Sequence, residues 1–275
     1  MEYSPKKMEN FLKERNFNFK KNFGQNFIVD KNIIDNIIRL SLVDKDTMVI
    51  EIGPGAGSLT TALASSSKNV LCYEIDDSLK YVLSDSLNNY DNVDIIYQDF
   101  LKANVNEELK KYTYNKLYVI ANLPYYITTP IITKIIENKL NVDKIVIMVQ
   151  KEVGDRLKAL PGSKDYNSLS IYISYYFSVR KLMDVSRNVF LPKPNVDSIV
   201  VELSKKANKY KVKNETLFFK LVRDAFAHKR KNLKNNLKSY NLDAIKEILN
   251  KYDYDLSVRA ENLSIDIFVD IANNL

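Results

Sequence analysis

The sequence predicts an α/β protein with a doubly wound, mostly parallel sheet, followed by a small helical domain. Apolar runs of strand length alternate with helical patterns through the first 150 residues, which is typical of a parallel sheet covered by helices. A glycine cluster at 53–57 follows the first of these buried strands. From about Lys205 the chain becomes basic and helical. We therefore predict one domain over residues 1–204 and a second over residues 205–275.

Composition excludes several classes of protein. Hydrophobic residues make up 45% and charged residues 27% of the 275 residues, which is ordinary for a globular protein. No apolar stretch approaches the roughly 18 residues of a membrane span, and the amino terminus lacks the apolar core of a secretory signal. A cytoplasmic location is expected. Cys72 and His228 are the only residues of their types, so disulfides and cysteine- or histidine-rich zinc sites are excluded and no metal is expected.

Positive charge is concentrated near the start of the second domain. The whole chain carries a net charge of +7, but residues 205–238 alone hold 12 basic and 2 acidic side chains. A solvated lysine-rich face is the usual explanation of such a run. Its density beside a globular α/β domain favours a polyanionic partner instead.

The first elements are a short helix, an aromatic arm and a second helix. Residues 5–15 predict a helix, and residues 17–27 alternate phenylalanines with basic and amide residues. This arm is either a loop whose rings fill the core or a basic, aromatic segment beside a cofactor and a nucleic acid. Asp30 is a plausible N-cap for a helix with isoleucines at helical spacing.

A glycine-rich turn joins the first buried strand to a helix. The strand covers residues 47–52, and three of the six glycines follow as Gly53, Gly55 and Gly57. Glycine permits positive φ and lets the backbone approach a ligand closely, and the amides that open the next helix would point towards that ligand. The spacing is G-x-G-x-G, which differs from the dehydrogenase and P-loop patterns.

Polar side chains end the next three strands. Glu74 follows the glycines by about 20 residues, the distance at which an acid grips a ribose diol in nucleotide folds. Asp99 ends the third strand and could accept from an adenine amino group, with Phe100 packing against the ring. Asn122, Leu123, Pro124 and Tyr125 end the fourth strand; taken alone, they could be a simple proline turn. Ligands bind at this end of open α/β sheets.

The remaining pattern completes the sheet and the helical domain. A helix at 129–139 and a strand at 144–150 precede two further strands, at 169–179 and 197–203. These make seven strands, with one antiparallel strand at the edge. Helices are expected at 217–226, 242–250 and 265–272.

These motifs together resemble one family. Residues 25–27 (QNF), 51–57 (EIGPGAG), 74–76 (EID), 98–100 (QDF), 122–125 (NLPY) and 190–198 (F-x-P-x-P-x-V-x-S) occur in the same order in the ribosomal RNA adenine N6-dimethyltransferases. The wording LPYYITTP at 123–130 and the basic run at 225–237 are similar to the small-subunit (16S) ribosomal RNA adenine N6,N6-dimethyltransferase family within that superfamily.

The resemblance implies a fold, a cofactor and a reaction. The fold would be a Rossmann-like class I methyltransferase sheet whose last strand is antiparallel. The cofactor would be S-adenosyl-L-methionine, with methyl transfer to N6 of two adjacent adenosines in a hairpin loop near the 3′ end of 16S rRNA during small-subunit maturation. The cofactor-binding residues would be Gln25, Asn26 and Ile28 of an amino-terminal lid, with Gly53, Gly55, Glu74, Ile75, Asp99, Phe100 and Asn122.

The resemblance also suggests how the target is held. The Asn122 side-chain oxygen and the Leu123 carbonyl would accept the two amino hydrogens of the adenine, while Tyr125 and Phe190 would stack on its faces. The RNA-binding residues would be Lys20, Lys21, Arg223, Lys229, Arg230, Lys231 and Lys234. The partner would be 16S rRNA in the small subunit or its precursor, bound by a monomer. Two alternatives remain: a large-subunit (23S) enzyme that confers macrolide resistance, and a non-catalytic assembly factor.

Overall fold

A computed structural model describes residues 4–20, 23–124, 127–207 and 210–275. The chain divides into two compact units, the first comprising Met1–Gly154 with Arg180–Ser204 and the second Asp155–Val179 with Lys205–Leu275. A boundary falls after residue 204, where the sequence placed it, but the first domain is not continuous over residues 1–204, because residues 155–179 group with the carboxy-terminal segment. One reason is that Tyr175 packs its ring against Phe218 and Phe219 and donates a hydrogen bond to Glu215.

The helices and strands have the following bounds. The helices are α1 Pro5–Glu14, α2 Lys31–Ser41, α3 Ser58–Ser66, α4 Lys80–Ser86, α5 Val105–Leu109, α6 Thr128–Glu137, α7 Lys151–Leu157, α8 Ser168–Tyr176, α9 Glu215–Ala225, α10 Leu233–Asn236, α11 Leu242–Asn250 and α12 Ile265–Asn273. The strands are β1 Phe27–Ile28, β2 Thr47–Ile52, β3 Asn69–Glu74, β4 Val93–Tyr97, β5 Lys116–Asn122, β6 Lys144–Gln150, β7 Phe177–Val185, β8 Phe190–Leu191 and β9 Ser198–Lys205.

The main sheet within the described residues has seven strands in the order β4-β3-β2-β5-β6-β9-β7. Strands β2 to β6 pair in parallel, and β9, the last strand along the chain, runs antiparallel to β6. The predicted α/β sheet is confirmed. However, β9 lies between β6 and β7 rather than at the edge, which β7 occupies.

Residues 169–176 form a helix, so the strand predicted at 169–179 is wrong over most of its length. Asn167 starts α8 with a capping box, in which its side chain accepts from Leu169 and Ser170 and the Ser170 side chain accepts from the Asn167 amide. The alternation of serines with apolar residues suggested a strand. The helix instead buries residues on several faces, which removes the usual helical periodicity.

The central strands form the core of the first unit because their side chains are buried on both faces. All six residues of β2 are buried, as are the interiors of β5 and β6. Asp30 caps α2 by accepting from the Asn32 amide, as predicted, and Leu42 ends that helix in the left-handed conformation with φ of 57°. The short strands β1 and β8 pair antiparallel and place Ile28 opposite Phe190.

The second unit is helical, and its predicted helices correspond to α9, α11 and α12. His228 is exposed in the turn that follows α9. No helix in the described part of the chain has the length and apolar character needed to cross a bilayer.

Candidate active site

A cavity of about 310 Å³ lies where the carboxyl ends of β2, β3, β4 and β5 meet the amino-terminal arm. These four strands are parallel neighbours, so the residues that follow them converge at one edge of the sheet. The cavity brings together all ten predicted cofactor-binding residues and Leu123. The ten are Gln25, Asn26, Ile28, Gly53, Gly55, Glu74, Ile75, Asp99, Phe100 and Asn122.

The glycine turn forms one wall with backbone rather than side chains. Gly53, Gly55 and Gly57 have φ of 72°, 59° and 85°, a region that other residues rarely adopt. A Cβ at Gly53 would meet nothing within 4 Å, whereas a Cβ at Gly55 would lie 2.8 Å from Cδ1 and Cε1 of Phe27. Gly53 thus leaves open space beside the cavity, and Gly55 lets the arm pack directly onto the turn.

Glu74 presents a buried carboxylate at the end of β3, with 4% of the residue exposed. It accepts hydrogen bonds from the amides of Gly55 at 3.2 Å and Asp76 at 2.8 Å. Burial raises the pKa of this carboxyl to about 7, and the two amides act in the opposite direction. Two fixed amides orient the carboxylate towards a ligand, and it can accept from both hydroxyls of a diol.

Asp99 and Phe100 form the wall beyond β4. The Asp99 carboxylate accepts from the Leu101 amide at 2.9 Å and so caps a short 3₁₀ turn. The Phe100 ring meets the Tyr73 ring edge-on, with centroids 5.4 Å apart. A hydrogen-bond acceptor beside an aromatic wall suits a planar, amino-bearing ring such as adenine.

Asn122 ends β5 with its amide in a defined orientation. Its Nδ2 donates to the backbone carbonyl of Asn26 at 2.8 Å. Because a carbonyl can only accept, the nitrogen must face the arm, which leaves Oδ1 as the acceptor of this amide. The following turn is held by the Leu123 amide, which donates to Met148, and by the Ile127 amide, which donates to Pro124. Tyr125 and Tyr126 lie outside the described residues.

The arm is attached to the rest of the first unit by packing of aromatic rings and by an ion pair. Phe17, Phe19 and Phe27 contact one another with centroids 5.3 to 5.8 Å apart, so they fill a core as the simpler interpretation predicted. The Lys20 ammonium lies 2.6 Å from the Asp76 carboxylate. That contact places Lys20 in the attachment of the arm, and its predicted RNA contact has no support here. Lys21 lies outside the described residues.

Phe190 does not reach the cavity. Its side chain is 3% exposed and lies in a core cluster with Ile28, Leu63 and Val200, because β8 pairs with β1. The predicted stacking of Phe190 on a target base therefore has no support in this structure.

The predicted RNA-binding residues of the second unit lie at the surface. Exposed side chains are found at Arg223, Lys229, Arg230, Lys231 and Lys234. The Lys229 ammonium donates to the backbone carbonyl of Lys164, in the segment that precedes α8. The positive charge of this surface follows from the sequence, but the contact of Lys229 with the backbone of residue 164 does not.

Glu51 is a cavity residue to which the sequence interpretation gave no role. It is buried in β2 and lines the cavity, and burial raises its pKa to about 8. Cys72 is buried in β3, and its Sγ donates to Glu51 Oε2 over 3.7 Å. An acid inside an otherwise apolar strand was a signal that could have identified this position.

Comparison with known proteins defines the family. Residues 16–275 match the family described as ribosomal RNA adenine dimethylase. The chain is 44% identical over 288 residues to the ribosomal RNA small subunit methyltransferase A of Macrococcus caseolyticus, covering 100% of this chain and 97% of the relative. It is 47% identical over 274 residues to the protein of that name from Staphylococcus aureus, covering 96% and 92%.

Solved structures show the same fold. A dimethyladenosine transferase from Plasmodium falciparum superimposes with a TM-score of 0.72 and 26% identity, covering 89% of this chain and 95% of that one. The 23S rRNA methyltransferase ErmE superimposes with a TM-score of 0.67 and 22% identity, covering 90% and 99%; this likeness concerns the fold alone.

The cavity residues fit the nucleoside part of S-adenosylmethionine. Glu74 suits the ribose hydroxyls, Asp99 and Phe100 suit the adenine, and the open space at Gly53 allows close approach to backbone. The arm closes the remaining side through Gln25, Asn26 and Ile28. With the matching sequence, these features show that the chain belongs to the ribosomal RNA adenine dimethylase family of S-adenosylmethionine-dependent methyltransferases.

Proposed function

We propose that this enzyme dimethylates N6 of two adjacent adenosines in a hairpin loop near the 3′ end of 16S rRNA, as a step in small-subunit maturation. The relatives that share 44% and 47% identity are named for the small subunit. The observation that carries the chemistry is the orientation of Asn122, whose nitrogen is occupied by the Asn26 carbonyl at 2.8 Å.

The orientation of Asn122 matters because the N6 lone pair of adenine is delocalised into the ring. Asn122 Oδ1 and the Leu123 carbonyl can each accept one of the two amino hydrogens. In the first transfer, holding both hydrogens favours a pyramidal nitrogen with its lone pair available for attack; in the second, one of the same two acceptors holds the one hydrogen that remains. S-adenosylmethionine, when bound, would supply the methyl group, its sulfonium leaving as a neutral thioether, and the methylated nitrogen would release one proton to solvent. Asn122 thus acts by orienting the amine, and no strong general base is needed.

The turn after β5 contributes rigidity and selects for an unpaired base. Pro124 has no backbone N–H and stiffens the chain beside the cavity. An adenine inside a helix could not reach these acceptors, so the target must be single-stranded or flipped out. Tyr125 is predicted to stack on that base, a contact typically worth about 1–3 kcal/mol. Positioning then provides most of the acceleration.

Replacing Asn122 with alanine tests this mechanism. We expect turnover to fall by about 10² or more, because the oriented acceptor is lost, while S-adenosylmethionine still binds by calorimetry. Asn106→Ala is a matched control, since the Asn106 amide also donates to a backbone carbonyl but is exposed and away from the cavity. Near wild-type turnover of Asn122→Ala with cofactor binding intact would refute the role of Asn122.

Mapping the methylated adenosines tests the choice of RNA. Purified protein and labelled S-adenosylmethionine should modify the small-subunit precursor and leave the large-subunit precursor unmodified. The sequence favours this result because the large-subunit enzymes that the chain resembles usually lack the proline found here as Pro130, in the first turn of α6. Methylation of the large-subunit RNA alone would reverse the assignment.

A non-catalytic assembly factor is the remaining alternative. It is disfavoured because the ten predicted cofactor residues all line one cavity. Failure of the protein to bind S-adenosylmethionine in calorimetry would favour it again. We further propose that a monomer acts in the cytoplasm on a precursor of the small subunit, and that Arg223, Lys229, Arg230, Lys231 and Lys234 contact its phosphates.

A further inference from the structure

Asp76 holds the arm through a set of hydrogen bonds that capping alone does not require. The residue is 1% exposed. Its Oδ1 accepts from the Ser78 amide at 3.0 Å, from the Ser78 hydroxyl at 2.6 Å and from the Lys20 ammonium at 2.6 Å. Its Oδ2 accepts from Gln25 Nε2 at 2.7 Å. Two of these four donors come from the arm, more than 50 residues earlier in the chain.

Gln25 fixes the conformation of the arm, because its side-chain amide bonds to both Asp76 and the arm backbone. Its Oε1 accepts from the Lys20 amide at 2.8 Å while its Nε2 faces Asp76. Both ends of the Gln25 amide are therefore satisfied only when the arm lies against Asp76. Burial alone would raise the pKa of Asp76, but hydrogen bonds from Lys20, Ser78 and Gln25 lower it below the ordinary value, so the carboxylate stays charged.

The same arm orients the amide of Asn122. Asn26 follows Gln25 directly, and its carbonyl is the acceptor for Asn122 Nδ2 at 2.8 Å. On the other side, the Asp76 amide donates to Glu74 at 2.8 Å. Asp76 thus lies between the predicted ribose acceptor and the segment that sets the direction of the amine acceptor.

We infer that Asp76 is a positioning residue that latches the arm over the cavity, and that the latch supports both cofactor retention and the orientation of Asn122. The consequence for Asn122 rests on the proposed function. The consequence for the arm does not, because it follows from contacts between residues of the chain itself.

Asp76→Asn distinguishes the attachment of the arm by Asp76 from the role of Asp76 as an N-cap. Asparagine is as good an N-cap as aspartate, so the 3₁₀ turn over Asp77–Leu79 should keep its cap. The substitution removes the charge opposite Lys20 and the second acceptor oxygen that faces Gln25. We expect faster hydrogen exchange over residues 17–29 in the cofactor-free protein and about a tenfold loss of S-adenosylmethionine affinity, the range of a charged hydrogen bond.

Lys20→Met and a double variant test the coupling. Lys20→Met should weaken cofactor binding by only about threefold, because the Lys20 side chain is 47% exposed and exposed ion pairs contribute little. The double variant should lose less than the product of the single effects, since both changes remove one contact. Asp77→Asn is the control, because Asp77 is 74% exposed and pairs only with Lys80 in the described structure; it should behave as wild type.

Unchanged arm exchange and unchanged cofactor affinity in Asp76→Asn would overturn the latch. It would also be overturned if Lys20→Met lowered RNA affinity and its salt dependence while arm exchange stayed the same, because Lys20 would then be a phosphate contact. If Asp76→Asn loosens the arm as expected but Asn122→Ala keeps its turnover, the proposed chemistry fails and the latch stands.

Discussion

Gly55→Ala should destabilise the first unit, because the added methyl group would clash with two ring atoms of Phe27. Gly55 has φ of 59°, and an added Cβ would lie 2.8 Å from Cδ1 and Cε1 of Phe27. The Phe27 ring cannot move freely, because it packs between Phe17 and Phe19. The Gly55 amide also donates to Glu74, so a shift of the backbone would disturb the carboxylate.

Two unfavourable energy terms determine the expected loss of stability in Gly55→Ala. A left-handed conformation costs a residue with a Cβ roughly 1–2 kcal/mol relative to glycine. Forcing a methyl group into a packed cluster typically costs 1–3 kcal/mol. We expect a loss of about 2–5 kcal/mol in the free energy of unfolding, equivalent to a drop of roughly 4–20 °C in the Tm of this unit.

Calorimetric unfolding of the cofactor-free protein measures this loss, and Gly53→Ala is the matched control. Gly53 lies in the same turn with φ of 72°, but a Cβ there meets nothing within 4 Å. It should show the backbone cost alone, about 1–2 kcal/mol, together with weaker S-adenosylmethionine binding. Equal destabilisation by the two variants would refute the argument that the Phe27 contact matters.

Three further predictions concern charge. Because burial raises the pKa of Glu74 to about 7, cofactor affinity measured by calorimetry should fall as the pH drops below that value, and Glu74→Gln should abolish the dependence; a pH-independent wild type would contradict it. Glu51 has a pKa of about 8 in the folded protein against an ordinary 4.5, so the folded state binds the proton more tightly and the cofactor-free protein should lose stability as the pH rises between these values. Glu51→Gln should reduce that decline in thermal unfolding and leave the part that Glu74 contributes, and an unchanged decline would show that Glu51 does not cause it. Reversing the charges of Lys229, Arg230 and Lys231 should weaken binding to small-subunit precursor particles and reduce its salt slope by about 3, whereas an unchanged slope would exclude phosphate contacts.

Most residues of the cavity could be predicted from the sequence, because parallel strands produce a simple pattern of apolar and polar residues. Each of these strands is a short, mostly apolar run, and glycine or polar residues cluster at its carboxyl end. Gly53, Glu74, Asp99 and Asn122 could therefore be placed at one edge of the sheet without coordinates. Their mutual geometry could not, because it depends on strand order and on side-chain orientation.

Contacts between distant segments were the part that the sequence could not supply. Asp76 carries a local capping pattern, and its bonds to Lys20 and Gln25 depend on how the arm folds back. The burial of Phe190 could not be predicted for a similar reason, since β1 and β8 contain two residues each and such short strands leave no periodic pattern.

The discontinuity of the second unit bears on how relatives could be recombined. Residues 155–179 lie between two segments of the first unit, and Tyr175 packs on Phe218 and Phe219 of α9. A hybrid made by exchanging only residues 205–275 would therefore join α8 of one parent to α9 of another. Transfer of the whole unit requires two crossovers inside the chain, near residues 154 and 179, besides the one near residue 204.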